Sequence, residues 1–124
     1  MLWEELAWTN FRELNKELPV VVPLGACEQY GPHLPVYVDT FQVTQIGRRV
    51  EAQLVDELLL TPTLWLGSSR HHKDFPGTIS VRPSLFSQMG AAASCGRCVD
   101  LGTDGQSHWY HRNCHGYRIK AKSA

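Results

Sequence analysis

Glu28 and Asp39 offer the most chemistry in this 124-residue sequence. They stand in and just after the run Gly25-Ala26-Cys27-Glu28-Gln29-Tyr30-Gly31-Pro32-His33-Leu34-Pro35, which follows the apolar stretch Val20-Val21-Val22-Pro23-Leu24. A strand that empties into a stiff, acid-bearing loop is how an open α/β sheet builds a site at its carboxyl edge. Carboxylates placed there can hold a divalent cation such as zinc or manganese, with imidazoles completing the donor set. The plainer reading makes Glu28 a loop acid and Asp39 a helix N-cap, a position Asp favours. Residue type and spacing alone leave both readings open.

A second polar stretch, Gly67 to Gly77, carries His71 and His72, which either contact a substrate or form a solvated loop pair. His33, set between prolines, is read as holding loop shape. Cys27 has no identifiable histidine partner and is read as a small buried residue and not a nucleophile. Cys95-Gly96-Arg97-Cys98 with His108, His111, Cys114 and His115 can be drawn as a zinc knuckle, although the second half of that pattern is irregular.

The elements that must position these residues follow from periodicity. Residues 3–17 read as a helix through Trp3, Leu6, Phe11 and Leu14, ended by Pro19. Val20 to Leu24 reads as a short buried strand. Asp39 caps a second expected helix over about 40–58, whose stripe is Val43, Ile46, Val50, Leu54 and Leu58. Leu58 to Leu66 reads as a second strand, Thr78 to Val81 as a third, and Pro83 or Ser84 as the start of another helix. This alternation argues for parallel pairing with helices packed on the sheet.

Composition is that of one modest globular domain, with 43% hydrophobic and 19% charged residues. No apolar run approaches the roughly 18 residues a membrane span requires. The N-terminus lacks the order of a signal peptide, so a cytoplasmic protein is expected. The formal net charge of zero hides a split: seven Lys/Arg against ten Asp/Glu over residues 1–90, then five against two over 91–124. That small basic excess is weak ground for nucleic-acid binding.

Leu24 to Pro35 followed by Asp39 resembles the signature of the creatininase family (creatinine amidohydrolase and relatives), roughly Gly-x-x-Glu-Gln-His-Gly-Pro-His-Leu-Pro with an Asp a few residues on. The segment Gly67 to Ser80, with His72-Lys73-Asp74-Phe75-Pro76-Gly77-Thr78-Ile79-Ser80 at its core, is similar to that family's His-x-x-Phe-Pro-Gly-Thr-Ile-Ser segment. The resemblance covers about residues 5–90. It implies a three-layer α/β/α fold, shortened here, and a hydrolytic site with two divalent metals, zinc or manganese, that opens cyclic or linear amide C–N bonds. By the same resemblance Glu28 matches the first carboxylate ligand and Asp39 the carboxylate that bridges two metals. Tyr30 stands where the family has a histidine ligand, and His72 is a candidate substrate contact. A phenol with a pKa near 10 is a poorer ligand than a neutral imidazole, so a weakened or missing metal is expected. The implied partners are a small-molecule amide substrate and, as in many family members, a second copy of the chain; no nucleic acid and no membrane are expected.

Beyond Gly90 the apolar pattern lapses, and a partial creatininase-like domain over 1–90 with an unrelated-looking Cys/His-containing tail over 91–124 is expected. The tail reads as out-of-frame sequence or as the extension of a natural short form. Asn113-Cys114-His115-Gly116 echoes a family ligand loop only faintly. Three function classes stay in play: an amidohydrolase by descent, a non-catalytic binding module, and a small zinc protein built on the tail.

Overall fold

A computed structural model describes residues 1–95. The cysteines and histidines from Cys98 to His115, and the zinc expectation attached to them, lie outside the described residues. Within them the elements are α1 (Asn10–Glu13), β1 (Val20–Val21), α2 (Val38–Gln53), β2 (Leu59–Leu60) and α3 (Pro83–Cys95).

β2 forms the centre. It pairs in parallel with β1, Val20 against Leu59 and Val21 against Leu60, while Leu2 makes a parallel bridge to Leu60 from its other side. Leu58, Leu59 and Leu60 are consequently buried, with Leu59 fully enclosed. Burying each leucine contributes about 1.5–3 kcal/mol. Beyond β1 and β2 the pairing resumes at Leu24 and Leu64. Leu64 lies one position further along than the β1–β2 register requires. The second strand therefore carries an extra residue around Pro62-Thr63, where a missing N–H and a bulge replace a continuous ladder. The two strands expected over Val20–Leu24 and Leu58–Leu66 are thus shorter in regular form than their apolar content suggests.

Other expectations also give way. The helix over 3–17 is a 3₁₀ turn at Trp3–Glu5 and the short α1. Asn side chains break it: Asn10 Oδ1 accepts the Ala7 N–H at 2.8 Å and Asn15 Oδ1 accepts the Glu17 N–H at 3.0 Å, competing with helical bonds. Trp3 then folds against Phe11, ring centroids 4.6 Å apart. Asp39 is not a cap: α2 begins at Val38 after Tyr37, with no side-chain cap bond. The helix stops at Gln53, and Asp56 at φ 64° turns the chain toward Leu58. The third strand is a single antiparallel bridge from Ile79 to Cys27. α3 starts at Pro83 as expected, proline suiting the first helical position, and runs through Gly90 to Cys95.

The face α2 turns to the sheet differs from its apolar stripe. Thr40 and Gly47 are buried, whereas Ile46, Val50 and Leu54 are exposed. Gly47 explains this choice, because a Cβ there would sit 3.3 Å from Leu60 Cδ1 and 3.4 Å from Pro23 Cγ. A small-residue face lets the helix lie close on β2. No helix among the described residues is long and apolar enough to cross a membrane.

Candidate functional site

Three pins bring the two polar loops together. The first is Gly25, whose N–H donates to Leu64 O at 2.8 Å. A Cβ at Gly25 would fall 2.5 Å from Thr40 Oγ1 and 2.7 Å from Thr40 Cα, so only glycine admits the first turn of α2. Thr40 Oγ1 donates to Ala26 O at 2.8 Å, tying that turn to the loop. The second pin is Cys27: its carbonyl accepts the Ile79 N–H at 2.9 Å, and its buried thiol faces Gly77 O at 3.6 Å. The expected reading of Cys27 as a small buried residue holds. The third pin is Ser69, whose N–H donates to Ser80 Oγ at 2.9 Å and seats the turn Arg70–His72.

Glu28 follows Cys27, and its N–H donates to Val36 O at 2.9 Å, closing the proline-bearing loop on itself. Gly31, at φ 70°, makes the reversal inside that loop. Glu28 is half-buried, its Oε1 3.8 Å from His72 Nε2. The rings of His71 and His72 meet at a 49° tilt with centroids 4.1 Å apart. Ligand atoms from Glu28, His71 and His72 all lie within 4.8 Å of one another. Gln29 reaches the same point, its Nε2 2.9 Å from His72 Nδ1.

Asp39, in the first turn of α2, accepts a hydrogen bond from Tyr30 Oη at 2.6 Å. That bond, the charge of Asp39, a little desolvation and the charge of Glu28 together raise the Tyr30 pKa above its ordinary 10.0. Both carboxylates therefore act on one phenol. At neutral pH Tyr30 is a hydrogen donor to Asp39 and not a phenolate. His33 stays exposed at the loop tip, beside Gly31.

Carboxylate and imidazole donors at this spacing suit a borderline divalent cation. Reading by motif pointed to Glu28, Asp39, Tyr30 and His72. It missed His71 as a donor beside Glu28 and Gln29 as the partner of His72. The sequence signal for Gln29 was its place after Glu28, where the family signature also has a Gln.

The family described as creatinine amidohydrolase matches residues 4–116. The chain belongs to the creatininase family. The matched span continues past Gly90 and takes in Asn113-Cys114-His115-Gly116. The chain is 38% identical over 104 residues to the mycofactocin precursor peptide peptidase of Mycobacterium tuberculosis (strain CDC 1551 / Oshkosh), covering 73% of this chain and 41% of that protein. It is 32% identical over 86 residues to the 3-dehydro-scyllo-inosose hydrolase of Thermotoga maritima, covering 68% of this chain and 27% of that protein. Among solved structures, a creatinine amidohydrolase (creatininase) superposes with a TM-score of 0.63 at 26% identity, over 71% of this chain and 36% of that one. A mutant creatininase of Zn-Zn type and a manganese creatininase each superpose with a TM-score of 0.62 at 25% identity, over the same shares. The creatininase-like α/β fold expected from the sequence is therefore present, and the chain spans about two fifths of the length of its mycobacterial relative.

Proposed function

We propose that this chain carries the first carboxylates of a metal-dependent amidohydrolase site that cleaves an amide C–N bond. The observation that carries the reading is the meeting of Glu28, from the loop after β1, with His71 and His72 from the second loop, ligand atoms within 4.8 Å. Glu28 would hold the cation, zinc or manganese, with imidazole from the second loop beside it; Asp39, bonded to Tyr30 and outside that cluster, is the second carboxylate that the family pattern adds. Such a cation lowers the pKa of a bound water and polarises a carbonyl. The zinc and manganese forms of the superposing creatininases support this choice of metal.

The chain's own contribution is placement. Thr40 and Gly25 fix Asp39 by anchoring the first turn of α2 to the loop that bears Glu28. Cys27 and Ile79 fix the second loop against the first. A small amide, or a peptide amide, is the substrate class that fits the names of the relatives.

One feature favours a second reading, a binding module without turnover: Tyr30 occupies Asp39 where the family signature has a ligand histidine. Zinc titration by calorimetry separates the two. Glu28→Gln should abolish zinc uptake without unfolding the chain, and Tyr30→His should tighten it by about tenfold or more. Zinc affinity indifferent to both substitutions would end the hydrolase reading.

A further inference from the structure

The orientation of one amide determines which nitrogen of His72 carries its proton. The Gly31 N–H donates to Gln29 Oε1 at 2.7 Å. A backbone amide can only donate, so the oxygen end of the Gln29 side chain is the end at Gly31. The other end, Nε2, then lies 2.9 Å from His72 Nδ1. An amide nitrogen has donors and no acceptor, so His72 Nδ1 must accept. The neutral ring consequently carries its hydrogen on Nε2, the atom 3.8 Å from Glu28 Oε1. The His72 nitrogen nearest the carboxylate, 3.8 Å away and beyond direct hydrogen-bond length, thus carries a hydrogen where a cation ligand would offer a lone pair.

We infer that Gln29 holds His72 in the Nε2–H form, making His72 a positioning residue that steadies Glu28 and not a ligand of the cation. This deepens the proposed function and rests on its cation site. Glu28 and His71 are then the members of that cluster left to hold the cation. The three-residue cluster then divides into two donors and one support. Gln29, held in turn by a glycine at positive φ, is the residue that enforces the division.

Long-range ¹H–¹⁵N correlation on imidazole-labelled protein, at about pH 8 where free imidazole is neutral, reads the tautomer directly. His72, assigned as the signal lost in His72→Gln, should show a pyrrole-type Nε2 and a pyridine-type Nδ1, and should keep both when zinc is added. Gln29→Glu puts a carboxylate oxygen opposite Nδ1 and should move the hydrogen there. Zinc affinity should fall about 10–100-fold in His72→Leu, as for loss of an outer partner that orients a ligand. It should be largely restored in His72→Gln, whose amide N–H can stand in for Nε2–H. A Nδ1–H form in the unsubstituted chain, conversion of Nε2 to a metal-bound nitrogen by zinc, or equal losses in His72→Leu and His72→Gln would each overturn the inference. The tautomer is read without metal, so a chain that keeps the Nε2–H form yet takes up no zinc sustains the Gln29–His72 assignment while removing the cation site beneath it.

Discussion

Tyr30 shows how one residue changes what a motif can do. A phenol adjacent to two carboxylates has two options, to lose its proton to a cation or to donate it to a carboxylate. The 2.6 Å bond to Asp39 selects the second, and the charges of Asp39 and Glu28 reinforce it by raising the phenol's pKa. The linkage sign follows. A group whose folded pKa lies above its unfolded value of 10.0 stabilises the fold fully below that pH, and the contribution fades as pH rises through the folded pKa. The difference in melting temperature between the chain and Tyr30→Phe should therefore be constant up to about pH 10 and shrink above it. Ultraviolet titration of the metal-free chain checks the cause, since a Tyr30 phenolate appearing below pH 10 would contradict the Asp39 bond.

At the scale of elements, the site depends on how α2 is seated. Its buried face is small and polar, Thr40 and Gly47, because it must approach both the loop at Gly25 and the side chain of Leu60. Thr40→Val keeps shape but removes the donor to Ala26 O. The expected cost is about 1–3 kcal/mol, the penalty for an unsatisfied acceptor, read as a lower midpoint in urea. Zinc affinity should fall with it, because Asp39 moves with that turn. A Thr40→Val chain with unchanged midpoint and affinity would show that the turn is held by other contacts. The sequence carried the apolar stripe of α2 plainly and still misassigned its buried face, since periodicity ranks hydrophobicity and cannot see where close approach excludes a Cβ.

Considered whole, the described part of the molecule leaves much apolar surface in water. Phe41 and Ile46 are 61% and 60% exposed, with Val50 on α2 and Leu54 just past its end also exposed. Contiguous apolar surface of this kind promotes association. The chain should associate with rising concentration in sedimentation experiments, and Ile46→Glu with Val50→Glu should weaken that association while leaving zinc uptake unchanged. An unsubstituted chain that stays monomeric at high concentration would rule out α2 as an adhesive face. The chain spans 41% of its mycobacterial relative and 36% of the superposing creatininase.

The order of strand, loop, helix and strand was legible from residue types, because prolines and glycines in one short run leave few conformations open, whereas ligand roles for Glu28 and Asp39 were expected only through the family resemblance. The run-on of α3 through Gly90 was legible only in part, a triple alanine being a helix former without a stripe. What the tertiary structure decided was company. Tyr30 met Asp39 across nine residues, Gln29 met His72 across forty-three, and Cys27 met Gly77 across fifty. Such pairings depend on the bridge of Ile79 to Cys27 and the close seat of α2, distances that no local pattern encodes.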